Sequence, residues 1–269
     1  MKPHLLLEPT IQLAKQAGIE ILKIYQNPAI AIKTKSDKSP VTAADLIAHE
    51  IITHGLKQLT PELPILSEES AAIAFAERKT WKCYWLIDPL DGTKEFIDHL
   101  DDFTVNIALI ENHQPILGIV YAPALALCYF ACTDHGAFKQ TAEQPAAAIK
   151  VTSHQNETTR IAASRRHGTQ ELQAFLQKLT NATVISRGSA LKFALVAEGL
   201  ADVYPRLTPT SEWDTAAGQC IVEQAGGAVI DVAGKPLRYN TKESLLNPAF
   251  LAVGNTKQIW LDYLHRETK

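Results

Sequence analysis

Residues 85–96 read WLIDPLDGTKEF, and the rest of the chain is organised around this stretch. Its apolar start predicts the end of a buried strand. Asp88 and Asp91 follow, three residues apart, and Gly92-Thr93 then predicts a turn into a short helix. Carboxylates bind hard cations, and the free N–H groups at the start of a helix bind anions. An ordinary Asp-Pro turn with capping aspartates is the alternative, and the local pattern favours neither interpretation.

The composition is that of a globular protein. The 269 residues are 46% hydrophobic and 20% charged, which is typical of one large domain or two small ones. The net charge of -3 argues against a general nucleic-acid or anionic-membrane binder. The four cysteines form no CxxC pair, which favours free thiols in a reducing compartment. With no signal-peptide core and no apolar run long enough for a membrane span, we expect a cytoplasmic protein.

The charges are distributed unevenly along the chain. Residues 88–102 hold six acids against one lysine, whereas residues 160–206 hold seven Lys/Arg against three acids. An acidic site beside a basic site would suit metal ions together with a polyanion. Two solvated surface faces are the alternative.

The predicted segments change character halfway along the chain. The first half has two helices and then closely spaced strands, whose short connections favour antiparallel neighbours. The second half alternates short strands with helices, which indicates an α/β part. Residues 31–41 are predicted to form a loop and residues 141–149 a linker, so we divide the chain into an N-terminal α+β part (1–145) and a C-terminal α/β part (146–269).

Two aspartates cannot saturate a hard divalent ion, so Asp88 and Asp91 need further oxygen ligands. Glu68-Glu69, at the end of the preceding predicted strand, is the nearest candidate. The other is Asp214, at the start of a predicted helix. An aspartate in a first helical turn is more often a cap than a ligand, and the pattern alone leaves both roles open.

Four segments together resemble a known family. PVTAAD (40–45), LSEES (66–70), WLIDPLDGTKEF (85–96) and WDTAAGQCIVEQAGG (213–227) resemble, in this order, the inositol-monophosphatase-like family of metal-dependent phosphatases. The resemblance spans essentially the whole chain. It implies a layered α-β-α-β-α sandwich with an antiparallel N-terminal sheet, a smaller C-terminal α/β part and the site between them. It also implies that 1–145 is a metal-binding domain and 146–269 a substrate-recognition domain.

The resemblance implies two to three Mg²⁺ ions and inhibition by Li⁺ at one of their positions. Glu68, Asp88 and the backbone carbonyl of Leu90 would hold the first ion. Asp88, Asp91 and Asp214 would hold the second, and Glu68 would help to retain a weaker third ion through waters.

The resemblance also implies how water attacks the phosphate. Thr93, paired with Asp45, would orient and deprotonate the water, and the N–H groups of Gly92 and Thr93 would hold the scissile phosphate. Consecutive side chains of an extended segment point to opposite faces, so Glu68 is expected to be the ligand and Glu69 to lie outside the ion's immediate contacts.

The second half is expected to select the substrate. Ser189 and Lys192 lie three residues apart on a predicted helix, Arg206 ends a predicted strand, and a cation pair suits a second phosphate group. The segment SRRH (164–167) resembles the SRxH of the CysQ-like 3'(2'),5'-bisphosphate nucleotidase branch, which implies His167 and one of the two adjacent arginines as further contacts. The resemblance favours Arg165 over Arg166 and leaves both open. The implied substrate is 3'-phosphoadenosine 5'-phosphate, with 3'-phosphoadenosine 5'-phosphosulfate as a second candidate.

Two other functions stay open from the sequence. The protein could be an inositol or sugar phosphatase with the same chemistry, or a nucleotide or cation sensor without turnover. The resemblance also leaves open a peripheral association with the cytoplasmic face of the inner membrane and the oligomeric state. We expect a small-molecule partner, no nucleic acid and no integral membrane segment.

Overall fold

The computed structural model describes residues 2–26, 32–34, 40–142, 144–152, 158–165, 169–179, 181–254 and 257–265. The helices are α1 (His4–Tyr25), α2 (Ala43–Leu59), α3 (Phe75–Arg78), α4 (Thr93–Ile97), α5 (Gln170–Gln177), α6 (Leu191–Ala197), α7 (Ala216–Gln224) and α8 (Lys257–His265). The strands are β1 (Ile32–Thr34), β2 (Pro40–Thr42), β3 (Ile65–Ser67), β4 (Cys83–Asp91), β5 (Thr104–Glu111), β6 (Gln114–Ala122), β7 (Leu127–Cys132), β8 (Gly136–Gln140), β9 (Ala147–Ile149), β10 (Thr159–Ala163), β11 (Ala182–Ser186), β12 (Val203–Arg206), β13 (Ala228–Asp231) and β14 (Phe250–Val253). Single 3₁₀ turns cover Glu68–Ser70, Pro123–Leu125 and Glu212–Asp214.

The strands of the first half form a seven-stranded sheet in sequential order, β3 to β9. Every neighbouring pair is antiparallel except β3 and β4, which run parallel. Short turns join most of these strands, as the closely spaced apolar segments predict. The parallel β3 brings its carboxyl end to the same edge of the sheet as the end of β4.

The second half forms a five-stranded sheet in the order β11-β10-β12-β14-β13. β10 runs parallel to both β11 and β12, and β14 is antiparallel to β12 and β13. Helix α5 connects β10 to β11 and helix α6 connects β11 to β12, which is the helical crossover that parallel strands require.

Successive side chains of β4 point to opposite faces of the seven-stranded sheet, and a layer of helices covers each face. Trp85 and Ile87 pack on one face, in a core with helices α1 and α2. Tyr84 and Leu86 pack on the other face, in a core with α6 and α7. A Cβ on Gly118 of β6 would lie 2.5 Å from the carbonyl oxygen of Ala217, so glycine lets α7 approach the sheet directly.

The second sheet is also covered on both faces. Its inner face shares the core of α6 and α7, and its outer face packs against Phe175 of α5 and Trp260 of α8. The layer order is therefore α-β-α-β-α, and the fold predicted from the sequence is confirmed. The N-terminal sheet is antiparallel as predicted, apart from its edge strand β3.

Two local predictions were wrong. The predicted loop 31–41 contains the antiparallel pair β1-β2, with Ile32 opposite Thr42. The predicted linker 141–149 ends in β9, which pairs with β8 at the edge of the first sheet. Strand pairing satisfies backbone groups whatever the side chains are, so polar or alanine-rich segments without clear periodicity can still form strands. The division after residue 145 stays a prediction.

No helix within the described ranges combines the length and the apolar character needed to cross a membrane. The cytoplasmic location and the association with a membrane face stay predictions.

Candidate active site

A β-bulge brings the two acids of the DPLD segment to one side of the sheet. Asp88 pairs with Asn106 and Asp91 with Thr104, and the register shifts between these pairs. Between these two pairs the chain advances by three residues along β4 but by only two along β5. Directly opposed residues share a face, and residues two apart on β5 do so too. The extra residue of the bulge thus puts Asp88 and Asp91 on the same face, where a regular strand would separate them.

Glu68 reaches this cluster from the neighbouring strand. Ser67 of β3 lies opposite Ile87 of β4, so the 3₁₀ turn that begins at Glu68 lies beside Asp88. The carboxylate of Glu68 raises the pKa of Asp88, whereas Glu69 acts on the ring of His49 instead. The two adjacent glutamates thus face different surroundings, which supports the prediction that Glu68 belongs to the cluster.

Asp214 reaches the cluster from the second half of the chain. Its Oδ2 accepts a hydrogen bond of 2.9 Å from the Ser211 backbone N–H, so it caps the 3₁₀ turn Glu212–Asp214. Burial and then the nearby Asp91 raise the pKa of Asp214 to about 8. Capping and membership of the acidic cluster, the two roles that the sequence left open, are therefore compatible.

The cluster is buried and repels itself. Burial, and then the charges of Glu68, Asp91, Asp214 and Asp45, raise the pKa of Asp88 well above its ordinary value. Burial likewise raises the pKa of Asp91, against the opposing charge of Lys192. Buried carboxylates that repel one another either take up protons or are stabilised by a compensating cation.

The donor set fits a hard divalent ion. All its atoms are oxygens, from carboxylates and from the backbone carbonyl of Leu90, which are the ligands that Mg²⁺ prefers. Among the described residues, no three His, Cys, Asp or Glu side chains are arranged closely enough to hold an ion without movement. Hydrogen bonds occupy one oxygen each of Asp88, Asp91 and Asp214.

The residues predicted to handle water lie beside the cluster. Asp45 is buried in the first turn of α2 and is close enough to Asp88 to raise its pKa. Thr93 begins α4, and its hydroxyl donates a 3.3 Å hydrogen bond to the carbonyl oxygen of Leu90. The pairing of Thr93 with Asp45 stays a prediction.

Gly92 joins the two halves of the protein. Its φ of 88° lies in the left-handed region, and a Cβ there would lie 2.1 Å from the Oγ of Ser189. That hydroxyl donates a 2.9 Å hydrogen bond to the carbonyl oxygen of Asp91. Glycine is therefore required twice at this position, for its backbone conformation and for the close approach of Ser189.

A cavity of about 190 Å³ is lined by acids and by two buried or half-buried cations. Its walls include Asp91, Gly92, Lys94, Glu95, Ser164, Ser189, Lys192, Phe193, Tyr204, Arg206, Thr210, Asp214 and Thr215. Lys192 is 6% exposed, and its Nζ donates a 2.5 Å hydrogen bond to the carbonyl oxygen of Ser189. Burial lowers the pKa of Lys192 to about 8. The buried Nε of Arg206 has no hydrogen-bond partner within the described structure. Cationic donors and carboxylates thus line the same cavity.

Arg165 has a partner that the sequence did not indicate. Its Nε lies 2.8 Å from Oδ2 of Asp102, and the same oxygen accepts a 3.0 Å hydrogen bond from the Gly188 N–H. Asp102 belongs to the acidic run 88–102, but its sequence context does not distinguish it from a solvated acid. The predicted contact His167 lies outside the described residues.

The arrangement defines a class of protein: a layered α/β protein in which carboxylates and cations line one cavity formed by both halves of the chain. The chain belongs to the inositol monophosphatase family, whose model matches residues 3–263. The family resemblance predicted from the sequence motifs is confirmed.

Two similar curated proteins carry the same name. The 3'(2'),5'-bisphosphate nucleotidase CysQ of Salmonella typhimurium is 47% identical over 246 residues, covering 91% of this chain and 98% of that protein. The protein of the same name from Haemophilus influenzae is 40% identical over 256 residues, covering 95% of both chains.

Solved structures agree with the fold. The crystal structure of CysQ from Bacteroides thetaiotaomicron matches with a TM-score of 0.81 at 40% identity, covering 92% of this chain and 96% of that one. A Thermotoga maritima IMPase matches with a TM-score of 0.75 at 24% identity over 94% of each chain, which supports the fold alone.

Proposed function

We propose that this protein is a Mg²⁺-dependent phosphatase that hydrolyses the 3'-phosphate of 3'-phosphoadenosine 5'-phosphate to AMP and phosphate. One observation carries the proposal: Lys192 and Arg206 line the same cavity as Asp91 and Asp214, so a ligand with two phosphates could contact both groups. The names of the CysQ relatives support the same activity.

The acidic cluster would hold two or three Mg²⁺ ions. Glu68, Asp88 and the carbonyl of Leu90 would bind one ion, and Asp88, Asp91 and Asp214 a second, with Glu68 helping to retain a weaker third. When bound, such ions lower the pKa of water and neutralise phosphoryl and leaving oxygens. The mutual repulsion within the cluster supports this assignment, because a cation relieves it.

Thr93 and Asp45 would act on the attacking water. The Thr93 Oγ would orient the water, and Asp45 would receive the proton as the water oxygen attacks phosphorus. The bond between phosphorus and the ribose 3'-oxygen then breaks, and that oxygen takes up a proton from solvent. Water can attack in line without a covalent intermediate, so the reaction needs no serine or cysteine nucleophile.

The two phosphates of the substrate would occupy opposite ends of the cavity. The backbone N–H groups of Gly92 and Thr93 would contact the 3'-phosphate. Ser189, Lys192 and Arg206 would contact the 5'-phosphate, and the buried, unpartnered Nε of Arg206 supports an anion there because buried donors are normally satisfied.

Arg165 and His167 are proposed as outer contacts of the substrate. The Nε of Arg165 is held by Asp102, which leaves both Nη groups of its guanidinium for an anion. The first half of the chain (1–145) would thus supply most metal ligands and the second half (146–269) the substrate contacts. Asp214 would be the metal ligand that crosses between them.

A phosphate-release panel with Mg²⁺ tests the proposal. It compares 3'-phosphoadenosine 5'-phosphate, inositol 1-phosphate, fructose 1,6-bisphosphate and AMP, with 3'-phosphoadenosine 5'-phosphosulfate as an additional substrate. The adenosine bisphosphate should have the highest kcat/KM. Equal or better turnover of inositol 1-phosphate would overturn the substrate assignment in favour of an inositol phosphatase. Binding without phosphate release would favour a sensor.

A further inference from the structure

The segment that carries Asp214 is held by an irregular loop, residues 239–247. The Glu212 N–H donates a 2.8 Å hydrogen bond to the carbonyl of Leu245, and the Asn247 N–H donates a 2.7 Å hydrogen bond to the carbonyl of Thr210. We call residues 210–215 the Asp214 segment. Backbone hydrogen bonds to residues 245 and 247 hold this segment against the loop.

The side chain of Asn247 adds a second set of contacts. Its Nδ2 donates to the carbonyl of Ser211 at 2.8 Å and to Oγ1 of Thr215 at 2.9 Å, and the residue is buried. These acceptors lie on either side of Asp214 in the chain. An amide NH₂ has two protons, so Asn247 can hold both ends of the segment at once, which a carboxylate cannot.

The loop is in turn anchored by Arg78, at the end of α3. Arg78 is 2% exposed, and its Nη1 donates to Oδ1 of Asn240 at 2.6 Å and to the carbonyl of Lys242 at 3.1 Å. Its Nη2 donates to the carbonyl of Glu243. The side chain of Asn240 returns a 2.6 Å hydrogen bond to the Arg78 carbonyl. The arginine thus fixes the loop from inside the protein.

One contact connects the anchor to the Asp214 segment. The Asn240 N–H donates a 2.8 Å hydrogen bond to Oε2 of Glu212, which is also buried. A buried arginine is costly unless its donors are satisfied. Both Nη groups of Arg78 have acceptors, whereas its buried Nε has no hydrogen-bond partner among the described residues. Its rigid fork of donors suits several fixed acceptors at once, and lysine offers only a point charge. Arg78, Asn240 and Glu212 thus form one hydrogen-bonded network that ends beside Asp214, and positioning Asp214 would give the buried arginine a role.

We propose that Arg78 and Asn247 are positioning residues that hold Asp214 against Asp91 and Asp88, and that they thereby set the affinity of the site for a divalent ion. The inference rests on the proposed function, because it requires Asp214 to be a metal ligand. Groups that are hydrogen-bonded directly to a metal ligand typically change metal affinity by about 10–100-fold when they are substituted. Arg78 and Asn247 act on Asp214 through its neighbours, so we expect the lower end of this range.

The test measures Mn²⁺ binding by calorimetry on the full chain, without substrate, for four variants. Asn247→Ala and Arg78→Lys should each bind Mn²⁺ about 10-fold more weakly than the unmodified protein. Asp214→Asn is the reference for loss of the ligand itself. Tyr84→Phe is the matched control: Tyr84 is buried like Arg78 and Asn247, but its hydroxyl has no hydrogen-bond partner among the described residues, so its removal should leave Mn²⁺ affinity unchanged.

Melting temperatures without metal separate positioning from stability. If both variants melt lower yet bind Mn²⁺ as tightly as the unmodified protein, the network is only structural and the inference is wrong. If the Asp214→Asn variant binds Mn²⁺ as tightly as the unmodified protein, the proposed assignment of Asp214 as a metal ligand is wrong. Asn247→Ala leaves Arg78 and its buried contacts in place, so it decides the question should Arg78→Lys fail to fold.

Discussion

Replacing Lys192 by methionine tests the substrate assignment most directly. The side chain is almost wholly buried, its Nζ donates to the Ser189 carbonyl at 2.5 Å, and it lies 5.5 Å from the centre of the Tyr204 ring. Methionine has a similar length and no charge. The change therefore removes a cation from the cavity with little change in packing.

The magnitude follows from the contact that would be lost. A hydrogen bond to a charged group contributes about 1.5–3 kcal/mol. Two unit charges about 4 Å apart near a protein surface interact by up to about 4 kcal/mol, which is an upper bound. Taking about 2–3 kcal/mol, kcat/KM for the bisphosphate should fall roughly 30–150-fold. Burial lowers the pKa of Lys192 to about 8, so its charge is disfavoured in the free protein and the variant should be no less stable.

The assay compares two substrates at saturating Mg²⁺: 3'-phosphoadenosine 5'-phosphate and 3'-AMP, which lacks the second phosphate. Only the bisphosphate should lose efficiency. Lys94→Met is the matched control, because Lys94 is an exposed cation on the wall of the same cavity, where water screens its charge. An equal loss for both substrates would refute the reasoning, as would an unchanged kcat/KM for the bisphosphate.

Three further substitutions test other parts of the site. Asp88→Asn should abolish Mg²⁺-dependent phosphate release yet raise the metal-free melting temperature, because it removes a charge from a repelling cluster; retained activity would refute the role of Asp88 as the shared ligand. Gly92→Ala should destabilise the protein by about 1–3 kcal/mol in urea unfolding, because its φ is 88° and a Cβ would collide with Ser189; an unchanged midpoint would contradict this. Asp102→Asn should raise KM for the bisphosphate several-fold, because it weakens the hold on Arg165 and Gly188, and Mn²⁺ affinity in calorimetry should not change; a weaker Mn²⁺ affinity with normal KM would place Asp102 in the metal site instead.

Much of the fold could be predicted from the sequence, because the spacing of apolar residues within a segment indicates whether it forms a strand or a helix. Alternating apolar residues marked the central strands, and the motif residues 85–96 fell at the end of β4 as expected. The polar segment 31–41 and the alanine-rich residues 147–149 gave no such pattern, although both form strand pairs. Their pairing depends on partners elsewhere in the chain, which periodicity does not report.

The same limit applies to the site. The acids and cations could be recognised as candidate site residues because carboxylates bind metal ions and cationic side chains bind phosphates. The bulge between Asp88 and Asp91 was not, since it is defined by the register with β5. Asp102 and Asn247 were given no role for a similar reason: each acts through contacts with residues far away in sequence, which its own sequence neighbourhood does not report.

The bulge explains how one short stretch can supply two ligands. In a regular strand, residues three apart face opposite sides, and Asp91 would point away from Asp88. The extra residue returns Asp91 to the same face, and the left-handed Gly92 then turns the chain into α4 beneath Ser189. The stretch is thus tied to the second sheet by the contact between Ser189 and the Asp91 carbonyl. Lys192 donates a hydrogen bond to the carbonyl of that same serine. A shift of Ser189 would therefore move both Lys192 and the backbone at Asp91. Metal binding and recognition of the second phosphate should therefore be energetically coupled in this protein.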